Sequence, residues 1–206
     1  MNKSVLIFDL DNTIYPVSSI AEKLFEKLYA VIEKSGEYKG DFEAVKLEIQ
    51  RTPFQKVAGA FSFSEQLLKD CMEVHINLTY DDPMQYFPDY ELVRELLQTK
   101  FLVTSGFSKL QNSKIDNLGI RNDFKEIVIL DLQQSNETKK DIFISLLEKY
   151  RFPKEEVLIV GDDINSEIQA GKDLGIDTVI YDRLEKYTDL NFANKIDNFA
   201  QIAKFL

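Results

Sequence analysis

Apolar residues in this chain fall into two alternating rhythms, short unbroken runs and longer stretches spaced at three and four. The short runs are Val5-Leu6-Ile7-Phe8, Phe101-Leu102-Val103, Ile127-Val128-Ile129-Leu130, Val157-Leu158-Ile159-Val160 and Thr178-Val179-Ile180-Tyr181. Runs this short and so rich in branched and aromatic side chains predict strands buried on both faces. Helical spacing fills the gaps between them. Asp89 is placed to cap a helix through Leu92, Val93, Leu96 and Leu97, and a second helix, with Leu110, Ile115 and Leu118, ends at Gly119. A third runs from Thr138 through Ile142, Phe143, Leu146, Leu147 and Tyr150, a fourth ends at Gly175, and a short helix closes the chain. Strand and helix in alternation predict an α/β fold, a parallel sheet with helices on both faces.

The first strand stands apart from this order. Between it and the second lie residues 16 to 87, which carry only helical spacing. Ile20, Ala21, Leu24, Phe25, Leu28, Val31 and Ile32 mark one helix, with Ser18 or Ser19 as N-cap and Gly36 as terminator. Another begins near Asp41. A third, opened by Ser62 with Glu65 in capping-box spacing, carries Leu67, Leu68, Cys71, Met72 and Ile76. An insert of roughly seventy residues far exceeds a loop of about two to six and must fold on itself. We therefore expect a core of residues 1–15 and 88–206 and an all-helical cap at 16–87, hinged near Tyr15-Pro16 and Phe87-Pro88.

Composition narrows the partners. With 206 residues, 44% hydrophobic and 29% charged, the chain is an ordinary globular one, and its net charge of −10 lacks the basic footprint that nucleic acid or an anionic membrane needs. Its single cysteine, Cys71, allows no internal disulfide, and no apolar run approaches a membrane span, so a cytoplasmic protein is the expectation, as monomer or homodimer. The single histidine, His75, excludes a histidine metal cluster and reads as a partly buried structural residue beside Met72 and Ile76.

The chemistry sits at the strand ends. Asp9 and Asp11 follow the first strand, and in an extended chain they would point to the same side at its C-terminal edge, where open parallel sheets hold ligands. Like charges that close repel by on the order of 4 kcal/mol at 4 Å in a dielectric near 20 unless a cation or proton intervenes. After Val103 come Thr104-Ser105-Gly106, a hydroxyl and a glycine turn able to cradle an anion. Lys139 and Lys140 open a helix, where a lysine opposes the helix dipole and a ligand-facing role gains weight. After Val160, Gly161-Asp162-Asp163 offers the charged oxygens that Mg²⁺ prefers.

The stretch Phe-Asp-Leu-Asp-Asn-Thr-Ile-Tyr-Pro at 8–16 resembles the first motif of the haloacid dehalogenase-like hydrolase superfamily, in wording nearest its pyrimidine 5′-nucleotidase group. Thr104, Lys139 and Asp162 stand where its later motifs would fall, in the same order. The resemblance implies a Rossmann-like core and a Mg²⁺-dependent phosphatase that works through an aspartyl-phosphate. Asp9 would be the nucleophile, and Asp11, its pKa raised by its acidic neighbour, the acid and base. Thr104, the Ser105 amide and Lys139 would bind phosphate. The chain lacks the Gly-Lys-Pro of many relatives, so Lys140 competes with Lys139. Asp9, Asp11, Asp162 and Asp163 would serve the metal, with Glu167 rivalling Asp163 as the second acid. The implied substrate is a small phosphorylated metabolite, first a nucleoside monophosphate, and the cap would close over it. A phosphomutase shares these residues; a receiver-type or other non-catalytic phosphate-binding protein is the alternative from another class.

Overall fold

All four side chains of β1 (Val5–Phe8) are covered, which places this strand in the middle of the sheet. The computed structural model describes residues 2–131, 133–189 and 192–206. With β1 run β2 (Thr99–Ser105), β3 (Glu126–Leu130), β4 (Val157–Gly161), β5 (Asp177–Tyr181) and the two-residue β6 (Lys195–Ile196), in the order β3-β2-β1-β4-β5-β6. Every neighbouring pair is parallel, and Ile7 lies opposite Phe101 on one side and Ile159 on the other. Strand order turns outward in both directions from β1, so the C-terminal ends of β1 and β4 open a crevice of the kind that binds ligands in such sheets.

Alternation along each strand divides the core in two. Val5, Ile7, Phe101, Val103, Val157 and Ile159 pack under α7 (Lys139–Tyr150) and α8 (Glu167–Leu174). Leu6, Phe8, Leu102, Leu158 and Val160 face the other way, onto α6 (Ser108–Leu118) and Phe199. Each such side chain contributes about 1.5–3 kcal/mol on burial, so a one-residue slip of β1 would exchange both layers at once.

Between β1 and β2 the chain forms α1 (Ala21–Ser35), α2 (Phe42–Ile49), α3 (Phe54–Ala60), α4 (Glu65–Ile76) and the short α5 (Tyr90–Arg94). Leu24, Phe25, Leu28 and Ile32 of α1 share an apolar cluster with Leu67 and Cys71 of α4. No described helix is long and apolar enough to cross a membrane.

Several boundaries differ from the sequence reading. α4 is capped by Ser64, whose Oγ accepts from Leu67 N at 3.0 Å; Ser62 sits in the preceding turn at φ 52°. α1 begins after Ile20 without a serine cap. α5 stops at Arg94 and leaves Leu97 fully exposed. Asp89 does not cap it by side chain, because its carboxylate accepts from the Tyr181 hydroxyl and from Phe199 N at 2.8 Å, tying the C-terminal segment to the core. β6 carries too few residues to show a pattern, and a 3-10 helix (Phe199–Phe205) stands where a short C-terminal helix was expected.

Candidate active site

Asp9 leaves β1 with its backbone N–H still donating to Val160 O at 3.0 Å, so the side chain is fixed at the crevice between β1 and β4. Its Oδ1 accepts from Lys139 Nζ at 2.6 Å, and the same ammonium donates to Glu167 Oε2 at 2.7 Å. Lys139 is the first residue of α7, whose start is fixed by a capping box of Thr138 and Asp141. Glu167 is the first residue of α8 and accepts from Asp163 N at 2.8 Å. Gly161 makes room for it: a Cβ there would lie 2.5 Å from the Glu167 carboxylate carbon.

Asp162 completes a group of three acids whose carboxylate oxygens lie within 4.8 Å of one another, Asp9, Asp162 and Glu167. One ammonium bridges Asp9 and Glu167, and Lys186 lies 3.6 Å from Asp162 at the edge. The charges respond to that imbalance. Burial, aided by Glu167 and Asp11 against the pull of Lys139, raises the Asp9 pKa to about 7. Burial, aided by Glu167 and Asp9, pushes Asp162 well above the carboxylate range. Burial works on Glu167 too, but Lys139 and the Asp163 amide outweigh it and hold Glu167 below its ordinary value. Hard oxygen donors with surplus negative charge at this spacing suit a divalent cation such as Mg²⁺.

Asp11 goes elsewhere. Past Phe8 the chain tightens, with Ile14 N donating to Leu10 O and Asn12 at φ 59°, so Asp9 and Asp11 do not share partners as an extended strand would have them do. Asp11 Oδ1 accepts from Lys114 Nζ at 2.8 Å and from the Tyr15 hydroxyl, and Oδ2 accepts from Gln111 Nε2 at 2.9 Å. Burial would raise its pKa, but Lys114 and these hydrogen bonds prevail and lower it. The expected upward shift of Asp11 is thus corrected, because its nearest charge is the ammonium of Lys114.

Thr104, at the end of β2, is buried, and its Oγ1 accepts from Gln111 Nε2 at 2.6 Å; Ser105 follows at the cavity edge. Asp163 stands outside the acidic group and accepts from Asn165 N at 2.8 Å, a turn-capping role, so Glu167 occupies the place left open between them. Lys140 is half exposed and lies 3.9 Å from Asp173. Sequence reasoning missed Gln111 and Lys114. Their signal was a pair of polar residues three apart on α6, beside Leu110 and Ile115 on its apolar face.

Above these groups is a cavity of about 190 Å³. The sheet edge forms its floor, and Phe25, Ile49, Arg51, Phe54 and His75 of the helical insert form its far wall. His75 is in that wall, edge-on to Phe54 at 5.1 Å and tilted against Phe107 at 4.8 Å, with Nδ1 buried and without a hydrogen-bond partner among the described residues.

Comparison with known proteins adds an independent line. A family model described as haloacid dehalogenase-like hydrolase matches residues 3–175. A glyceraldehyde 3-phosphate phosphatase of Methanopyrus kandleri is 27% identical over 96% of this chain and 91% of its own. The pyrimidine 5′-nucleotidase YjjG of Escherichia coli is 35% identical over 37% of this chain and 35% of its own. Among solved structures, a haloacid dehalogenase-like family hydrolase from Streptococcus pneumoniae superposes with a TM-score of 0.66 at 19% identity, covering 86% of this chain and 84% of its own, a likeness of fold.

Proposed function

The chain belongs to the haloacid dehalogenase-like hydrolase family, and we propose that it hydrolyses a small phosphate monoester in two steps through a phosphorylated Asp9. The observation that carries this reading is Lys139 bridging Asp9 and Glu167, with Asp162 alongside, on the floor of a cavity that also receives Thr104 and Asp11.

Asp9, Asp162 and Glu167 would hold Mg²⁺. Bound there, the ion supplies the positive charge that lets a carboxylate approach a phosphate dianion. Asp9 attacks phosphorus, the ester oxygen leaves with the bonding pair, and Asp11 gives that oxygen a proton. Asp11 rests as a carboxylate; the phosphate dianion beside it raises its proton affinity, so it takes a proton from solvent as the ester binds, gives it to the leaving oxygen, and regains one from the water that attacks the phosphoryl group. The second step returns Asp9 and releases inorganic phosphate. Lys139 and the Thr104 hydroxyl bind the non-bridging oxygens, and the helical insert acts as a cap that excludes bulk water.

The cavity volume of about 190 Å³ is below the roughly 300–1,000 Å³ of pockets for drug-sized ligands, which favours a compact ester over a nucleotide unless the cap opens. A panel of p-nitrophenyl phosphate, glyceraldehyde 3-phosphate, phosphoglycolate and nucleoside monophosphates, assayed for phosphate release with Mg²⁺ or with EDTA, tests the reading. Release that needs Mg²⁺ and is fastest for a compact ester is expected. A panel without turnover, or turnover that survives EDTA, would refute it.

A further inference from the structure

We propose that Gln111 is a positioning residue that turns the Thr104 hydroxyl toward the transferred phosphoryl group, a role that rests on the phosphatase reading above. Gln111 is almost wholly buried, and its Nε2 lies 2.6 Å from Thr104 Oγ1, 2.9 Å from Asp11 Oδ2 and 3.3 Å from Ser105 O. The orientation of the amide follows from chemistry. The Ser105 carbonyl on the same side can only accept, and an amide oxygen in that place would be repelled. The nitrogen therefore faces Asp11. Its two N–H bonds go to the two nearest acceptors, and Thr104 Oγ1 is one of them.

A hydroxyl that accepts on one side must direct its own proton elsewhere. Thr104 has no acceptor for that proton among the described residues, and it lines the cavity. The proton is thereby left for a phosphoryl oxygen. Without Gln111, no donor engages that lone pair, and the hydroxyl is free to rotate its proton away from a bound phosphate. The backbone makes way for this amide: a Cβ on Gly106, at φ 149°, would come within 3.1 Å of Gln111 Cγ and Cδ. Gln111 thus links the group that binds phosphate to the group that moves protons.

A double-mutant cycle over Thr104→Val and Gln111→Leu tests this, read in kcat/KM and in the dissociation constant for inorganic phosphate with Mg²⁺ present. Loss of one aimed donor typically costs about 100-fold in rate, so Thr104→Val should lose about that much and Gln111→Leu about tenfold, with weaker phosphate binding in both. In phosphate binding the double variant should be no worse than Thr104→Val alone, because there Gln111 acts through a hydroxyl that is gone. Gln111→Met, which keeps length without an N–H, should match Gln111→Leu and guards against a packing defect in either. Losses of phosphate binding that multiply in the double variant, or a Gln111→Leu protein that binds phosphate like the wild type, would overturn the role while leaving the phosphatase reading intact. A wild-type protein that binds no phosphate and turns over no ester would remove both.

Discussion

Asp9 and Lys139 stand 130 positions apart in the chain and meet in a 2.6 Å ion pair, each more than nine-tenths hidden from solvent. Water contributes little to either charge, so the pair depends on the fold bringing the end of β1 to the start of α7. Such a pair costs desolvation to form and is costly to break on one side alone.

Replacing Lys139 tests that dependence. Lys139→Met leaves Asp9 and Glu167 without their shared ammonium and should lower stability by roughly 3 to 5 kcal/mol in urea unfolding without metal, the usual penalty for stranding a buried charge. Turnover should fall by at least about 100-fold through the loss of an aimed cation. Lys140→Ala, at a half-exposed position, should change neither measurement appreciably.

Gly161 offers a way to disturb the acids without altering any of them. Gly161→Ala would place a methyl group inside the Glu167 carboxylate, pushing it from Lys139 and from Asp162. Isothermal titration should then show weaker Mg²⁺ binding and phosphate release should drop, while the far-ultraviolet circular dichroism keeps its α/β form. Unchanged Mg²⁺ affinity would mean that Glu167 does not help hold the ion.

The sheet was legible because its central strands β1 and β4 are buried on both faces and so appear as unbroken apolar runs; β1 has the limits its four residues suggested. Asp9, Lys139 and Asp162 were legible for a related reason, since each adjoins such a run or a strong helix start. The proton affinity of Asp11 was misjudged because reading an extended strand could not place the Lys114 ammonium beside it, and the chain turns at Asn12. Lys114 and Gln111 left only a weak local signal, because what brings them to Asp11 is the packing of α6 across a hundred residues of chain or more. His75 looked structural, and its aromatic surroundings agree, yet it also borders the cavity, which only the tertiary fold could show.

His75 predicts an acid sensitivity. Burial, with a smaller contribution from Lys114, lowers its pKa to about 4, against 6.5 in an open chain. Below 6.5 the unfolded chain takes up a proton that the folded one refuses, so this contribution to stability is present above that pH and is lost as pH falls toward 4. The difference corresponds to about 3 kcal/mol. Asp9, with its pKa raised to about 7, acts in the opposite sense, losing stability as pH rises through 7. Comparison with His75→Phe cancels that term: the wild type should lose stability relative to the variant by about 3 kcal/mol between pH 6.5 and 4. A constant gap across that range would mean that His75 is not held neutral.

The central claim is that Asp9 accepts the phosphoryl group, and peptide mass analysis of enzyme quenched in acid during turnover of p-nitrophenyl phosphate tests it most directly. The account predicts one added phosphoryl mass on the peptide carrying Asp9, absent from Asp9→Asn and more abundant in Asp11→Asn, where release to water is slowed. Steady turnover with no phosphorylated peptide in either the wild type or Asp11→Asn, or with the phosphoryl group on another residue, would contradict it.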